Sequence, residues 1–239
     1  MNKTCALLCY VFVLAVLLTQ QSLHAEDAPA KIRIVLVGDS TVTDNAGWGA
    51  GFAKLLNDKA ECLNHAKGGA SSKNYYTGGL WKRALATKPA YVLIQFGHND
   101  QPGKGPQRET DPATTYRDQL RTYVEEARAA GAKPILVTSM VRRIFSADSK
   151  INSNLAPYAD AVKAVAAELK VPVVDLHARS KELVEKLGPE KANELGPKHP
   201  TLEGKFDGTH LNEKGAAAIA PLVANELRQA LPELKAFFR

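Results

Sequence analysis

Apolar and polar positions alternate along this chain in two kinds of run. Short stretches rich in β-branched and aliphatic residues occur at Ile32 to Val37, around Cys62 and Leu63, at Tyr91 to Phe96, at Lys133 to Thr138 and at Val171 to Val174. The near-continuous apolarity of the longer ones predicts parallel strands buried on both faces. Between them the apolar residues follow helical spacing, as in Phe52, Leu55 and Leu56, or Tyr116, Leu120, Tyr123, Val124 and Ala127. Asp111 followed by Pro112 predicts an N-cap and first helical position for the second of these, which then runs toward Gly131. Further helices are predicted at Leu155 to Leu169, at His177 to Leu187 and at Ala216 to Leu227 behind Asn212. The Gly-, Pro- and charge-rich stretch from Gly188 to Phe206 predicts one long loop. Strands alternating with helices, joined by right-handed crossovers, give an α/β fold: a three-layer α/β/α sandwich around a central five-stranded parallel sheet.

Composition narrows this picture. With 239 residues, 45% hydrophobic and 23% charged, the chain fits one such domain. Its beginning reads differently: Lys3, an apolar run from Cys5 to Leu18, and Leu23-His24-Ala25 ahead of Glu26-Asp27. That order predicts a signal peptide over residues 1–25, cleaved after Ala25, with the domain over 26–239 and a secreted or periplasmic destination. The run is short for a membrane span, so no stable membrane partner is expected after cleavage. Cys62 is then the lone cysteine of the mature chain and reads as a small buried hydrophobe. The formal charge is +6, of which Lys3 leaves with the signal. Basic residues are scattered and not interleaved with aromatics, which disfavours nucleic acid and favours an anionic substrate. A monomer is expected.

The chemistry gathers at strand ends. Gly38 permits a sharp turn after the first strand and places Ser40 at the carboxyl edge, where open α/β sheets bind ligands. Glycine-bearing turns recur at Asn64 to Ser72, at Gly97-His98-Asn99-Asp100, and at Asp207-Gly208-Thr209-His210 after the last strand. Ser40 supplies a nucleophile, His210 a base, and Asp207, three residues earlier, an acceptor that orients the imidazole. The backbone N–H groups of Ser40 and of a glycine in the second turn, with the Asn99 side chain, supply donors for an oxyanion. Around them stand residues with two readings each. Trp48, between Gly47 and Gly49, is a core plug or a wall of the substrate pocket. His98, like His65, is a hydrogen-bond partner within its turn or a substrate contact, and His199 is solvated or faces substrate. Arg142 and Arg143, which follow the fourth strand, meet a substrate carboxylate or point to solvent. Lys67 and Lys73 lie on the same expected rim. A metal site from His65, His98, Asp207 and His210 lacks the local spacing of a zinc motif, and no metal or cofactor is expected. The absence of Gly-x-Ser-x-Gly argues against an ordinary α/β-hydrolase.

These turns, in this order, resemble the four blocks of the SGNH (GDSL-type) hydrolases. They read Gly38-Asp39-Ser40-Thr41, Asn64-His65-Ala66-Lys67-Gly68-Gly69, Gly97-His98-Asn99-Asp100 and Asp207-Gly208-Thr209-His210. Gly47-Trp48-Gly49 is similar to a segment of the rhamnogalacturonan acetylesterase group within that superfamily. The resemblance covers nearly the whole mature chain and implies a flavodoxin-like sandwich. It also implies a cofactor-free serine esterase that removes O-acetyl groups from plant cell-wall polysaccharide, with an acetylated acidic polysaccharide or oligosaccharide as its partner. Family roles fall on Ser40 as nucleophile, His210 and Asp207 as base and acid, and Gly69 and Asn99 as oxyanion donors; the pattern Gly-x-Ser favours Gly69 over Gly68. Ala70 departs from the group, which often has a larger polar or basic residue there, and this touches substrate detail. Three other readings carry distinguishing expectations. A lipid- or thioester-directed member of the superfamily calls for a broad apolar pocket. A non-catalytic carbohydrate-binding module calls for a broken triad, and a flavodoxin-like phosphate-binding protein leaves Asp207 and His210 unexplained.

Overall fold

The computed structural model describes residues 31–239, so the signal reading over residues 1–25 lies outside the described residues. Five parallel strands form one sheet: β1 (Ile32–Gly38), β2 (Ala60–Asn64), β3 (Tyr91–Gln95), β4 (Lys133–Val137) and β5 (Val173–Val174), in the order β2-β1-β3-β4-β5. Around it lie α1 (Gly49–Ala53), α2 (Ser72–Thr77), α3 (Leu80–Ala86), α4 (Thr115–Ala129), α5 (Ala156–Leu169), α6 (Leu176–Asn193), α7 (Glu213–Ala230) and a terminal 3₁₀ helix (Pro232–Phe237).

Successive side chains of β1 point to opposite faces of the sheet and seed two separate cores. Ile34 and Leu36 join Trp48 and Phe52 near α1, and Ile219, Val223 and Leu227 of α7. Val35 and Val37 join Tyr75, Trp81, Leu120 and Tyr123 of α2 to α4, and Val162 and Val165 of α5. The result is the three-layer α/β/α sandwich expected from the alternation. Because β1 is followed by β2 on one side, whereas β3 is followed by β4 on the other, the connections leaving β1 and β3 diverge. Their carboxyl ends are therefore a topological switch point, the position where such sheets bind ligands.

Several elements differ from the periodicity; α1, for one, ends at Ala53 and leaves Leu55 and Leu56 beyond it. The fourth helix starts at Thr115, not at Pro112. Asp111 Oδ1 accepts from the N–H groups of Ala113 and Thr114, at 2.7 and 3.0 Å, and so closes a separate turn. The predicted loop from Gly188 begins later, because Gly188 (φ 75°) kinks the chain without ending it and Pro189 opens a further helical stretch to Asn193. Helices α2 and α3 were not predicted: Gly78 and Gly79 split one short segment in two, and each piece is too brief to show a period.

Candidate active site

The turn after β1 is built by exclusion of side-chain volume and by one buried carboxylate. A Cβ on Gly38 would stand 2.5 Å from the carbonyl oxygen of Gln95, so only glycine lets β1 end this close to β3. Asp39 is fully buried, and its Oδ1 accepts from Thr41 N–H at 2.8 Å and from Thr41 Oγ1 at 2.7 Å, which curls the chain around Ser40. Gln95, the one polar residue within β3, donates from Nε2 to Thr41 Oγ1 (2.7 Å) and accepts at Oε1 from Trp48 Nε1 (2.9 Å). Trp48 is thereby a fully enclosed core residue in edge contact with Phe52, and the pocket-wall reading is corrected. Gly47 and Gly49 flank it because the backbone of Thr41 and Val42 occupies the space a Cβ would need.

The turn before α7 brings its base to that serine. Asp207 Oδ1 accepts from the N–H groups of Thr209 and His210 at 2.7 and 3.0 Å, and its Oδ2 lies 2.7 Å from His210 Nδ1. His210 Nε2 lies 2.8 Å from Ser40 Oγ. With Nδ1–H donating to the carboxylate, Nε2 is left to accept from the serine hydroxyl, the tautomer this network requires. Burial works to raise the Asp207 carboxyl, but the hydrogen bonds from the His210 ring and from the two N–H groups outweigh it and hold it at about 2. The imidazole therefore rests against a full negative charge.

Behind this turn sits Arg143, only 5% exposed. Its Nη2 donates to the carbonyl oxygens of Asp207 and His210, both at 2.6 Å, while its backbone N–H donates to Gly208 O at 2.7 Å. Gly196 is required beside it, since a Cβ there would overlap the guanidinium and Asp207 O. Burial brings the guanidinium down to about 10, against the upward pull of Asp207. Arg143 thus braces the Asp207–His210 turn from within, and its assignment as a substrate contact on the rim is corrected.

On the other side, the turns after β2 and β3 are tied together. Gly68 approaches Ser40, its Cβ position lying 3.9 Å from Ser40 Cβ, and Gly69 adopts φ 77°, a conformation that favours glycine. Asn99 Nδ2 donates to Ala70 O at 3.0 Å, leaving its second N–H for another acceptor. Asp100, to which sequence reasoning gave no role, is the knot beneath: it is buried and accepts from Gly97 N–H (3.0 Å), Ser72 N–H (3.0 Å), Ser72 Oγ and Thr110 Oγ1 (3.0 Å). Burial outweighs those donors and lifts its carboxyl to about 7. His98 lies under the same turn, 3% exposed, with Nδ1 at 3.4 Å from Asp39 Oδ2. It is a structural residue, and its substrate-binding reading is corrected. His199 closes its own turn by accepting at Nδ1 from Thr201 and Leu202 N–H. Cys62 is partly buried, and burial pushes its thiol up to about 12.

Ser40, His210 and Asp207 form a hydrogen-bonded chain at the carboxyl edge of the sheet, beside the turns after β2 and β3. This is the arrangement that activates a hydroxyl for attack on an ester carbonyl. Residues 36–218 match the sequence model of the GDSL-like Lipase/Acylhydrolase family. The chain belongs to that family. Members are ester hydrolases, and the α/β sandwich described above is theirs. The chain is 42% identical over 214 residues to the rhamnogalacturonan acetylesterase RhgT of Bacillus subtilis, covering 83% of this chain and 90% of that one. It is 35% identical over 205 residues to YesY of the same organism, named a probable rhamnogalacturonan acetylesterase, with coverage of 82% and 92%. Among solved structures, YxiM of Bacillus subtilis superposes with a TM-score of 0.69 at 26% identity, over 85% of this chain and 58% of that chain. Axe2, an acetylxylan esterase from Geobacillus stearothermophilus, superposes with a TM-score of 0.60 over 84% and 94%; at 17% identity this likeness is one of fold alone.

Proposed function

We propose that this GDSL-family esterase removes O-acetyl groups from a pectin-type polysaccharide, rhamnogalacturonan, through Ser40, His210 and Asp207. The observation that carries the reading is the chain Asp207 Oδ2, His210, Ser40 Oγ, with links of 2.7 and 2.8 Å. Ser40 Oγ attacks the acetyl carbonyl carbon while its proton passes to His210 Nε2, and the Asp207 carboxylate stabilises the imidazolium that forms. The carbonyl oxygen becomes an oxyanion that receives the N–H of Ser40, the N–H of Gly69 and the free N–H of Asn99 Nδ2. His210 then returns its proton to the departing sugar oxygen. Water, deprotonated by the same imidazole, attacks the acetyl-enzyme, and the second oxyanion collapses to release acetate and restore Ser40.

The identity to RhgT and YesY supports the polysaccharide. A mixed lining supports a sugar over a long acyl chain: the groove of about 860 Å³ beside the site includes Gln101, Lys104, Glu109, Asp111 and Arg142. Residues 1–25 have the order of an export signal, so the enzyme meets its polymer outside the cytoplasm, as a secreted or periplasmic protein. The test is acetate release from acetylated rhamnogalacturonan, compared with release of long-chain acids from their esters. Wild type releases acetate and Ser40→Ala falls to background while remaining folded. Preference for long acyl chains, or Ser40→Ala retaining most of its activity, contradicts the reading.

A further inference from the structure

The two arginines after β4 have opposite fates. Arg143 is enclosed, whereas Arg142 is half-buried and lines the groove of about 860 Å³. Arg142 Nη1 donates to Gln101 Oε1 (2.7 Å) and Asn154 Oδ1 (2.9 Å), and Nη2 donates to His98 O (3.2 Å). All three acceptors are neutral. They fix the plane of the guanidinium and leave its Nε–H and one Nη2–H without a hydrogen-bond partner among the described residues. No carboxylate among them lies within ion-pair distance of Arg142, although Arg33 has one and Arg121 and Arg179 have two each. A half-desolvated cation held by neutral groups, with donors to spare, is built to receive an anion.

Its place says which anion. His98, whose carbonyl Arg142 holds, precedes Asn99 in the proposed oxyanion hole. Ile144, 58% exposed, lines the same groove, and its Cγ1 lies 3.6 Å from the Cβ position of Gly208, between Asp207 and His210. The groove lining therefore touches the turn of Asp207 and His210 through Ile144 and the turn of Asn99 through Arg142. A group bound there belongs to the molecule whose ester lies at Ser40. An exposed aliphatic side chain beside a fixed guanidinium suits a sugar that presents an apolar ring face and a carboxylate. Glu109 and Asp111 also line the groove, but each is engaged by backbone N–H groups of its own turn.

We propose that this groove is a subsite for an acidic sugar, with Arg142 receiving a uronate carboxylate of the chain that carries the acetyl group. The inference rests on the polysaccharide reading above, and it can fail separately from it. The test is inhibition of p-nitrophenyl acetate hydrolysis by a deacetylated rhamnogalacturonan oligosaccharide and by its carboxyl-methylated derivative. Inhibition constants are used because a change in turnover divides out. For wild type the acid form binds about tenfold or more tighter than the methyl ester, the range of a charge-assisted pair. In Arg142→Gln the two constants converge to within about twofold because the acid form weakens. Arg142→Lys, which keeps the charge and loses the fork, falls between them. Equal constants for the two forms in wild type, or an unchanged ratio in Arg142→Gln with only turnover reduced, overturns the subsite and leaves Arg142 a brace for the Asn99 turn. An intact ratio without acetate release from the polymer overturns the polysaccharide reading instead, while the carboxylate subsite stands.

Discussion

Replacing Arg143 by methionine should damage the catalytic turn more than the fold. The guanidinium donates two hydrogen bonds of 2.6 Å, to Asp207 O and His210 O, from a site that is 5% exposed. Hydrogen bonds from a charged group contribute about 1.5–3 kcal/mol each, so the gross loss is about 3–6 kcal/mol. Methionine occupies much of the same space and removes a buried charge whose desolvation is itself unfavourable, which offsets part of the loss. A net destabilisation of about 2–3 kcal/mol remains, or about 4–12 °C in Tm for a domain of this size. The backbone N–H of residue 143 still donates to Gly208 O, so the turn should stay attached while its flanking carbonyls relax. Misplacement of the His210 ring by about 1 Å is enough to lower kcat by about 10²-fold, with KM little changed. Urea unfolding and steady-state kinetics on p-nitrophenyl acetate, at a temperature where the variant is fully folded, read both quantities. A variant with wild-type kcat would refute the brace, even if its stability fell.

Three other substitutions separate the remaining roles. Asn99→Ala should lower kcat by ~10²–10³-fold at nearly constant KM, because the proposed oxyanion donor would act on charge that develops only in the tetrahedral intermediate; a change confined to KM would contradict this. Trp48→Phe strands Gln95 Oε1 and should cost about 1–3 kcal/mol in urea unfolding, without moving KM for a sugar ester, since the enclosed ring meets no substrate. Asp207 is held at about 2, below the ordinary 3.8, so its contribution to stability is present above pH ~4 and is lost as pH falls toward 2. Asp100, raised to about 7, acts in the opposite sense: its contribution is full below pH ~4 and fades as pH rises through 7. The stability difference between wild type and Asp207→Asn cancels the Asp100 contribution and should shrink between pH ~4 and 2; a difference that is constant with pH would contradict the hydrogen-bond account.

The parts of the fold that the sequence announces are those in which burial repeats along the chain. β1, β3 and β4 are apolar on both faces and read as strands, whereas α2 and α3 are interrupted by Gly78 and Gly79 before a period can develop. Asp111-Pro112 is a good start signal attached to the wrong element, because a carboxylate that closes a four-residue turn has the same neighbours as one that caps a helix. In the site, Ser40, Asp207 and His210 are readable because their chemistry is complementary and the acid and base are three residues apart. The supporting residues are not. Arg142 and Arg143 are adjacent and identical in type, and only the course of the chain after β4 turns one inward and the other toward the groove. Glycines around Trp48 fit a pocket lip and a close backbone crossing equally well, and the contact with Thr41 and Val42 decides between them. Gln95 carried a usable signal, as a polar residue ending an otherwise apolar strand.

That pair of arginines also shows how loops can hold a site to the accuracy that catalysis needs. Ser40 is fixed to the sheet directly, through Gly38 and the buried Asp39 and Thr41, but its partners lie on turns outside the sheet. Each is tied down by buried polar groups. Asp100 gathers donors from Gly97, Ser72 and Thr110 and so locks the turn after β3 to the one after β2. The segment after β4 then reaches both ways, Arg142 to His98 O beside Asn99 and Arg143 to Asp207 O and His210 O. Among the described residues neither guanidinium has a carboxylate within ion-pair distance, and that serves the chemistry. A further carboxylate beside His210 would favour the imidazolium before substrate binds, a form that cannot take the proton of Ser40. Carbonyl acceptors let the arginines position the turns while Asp207 supplies the negative charge in contact with the ring.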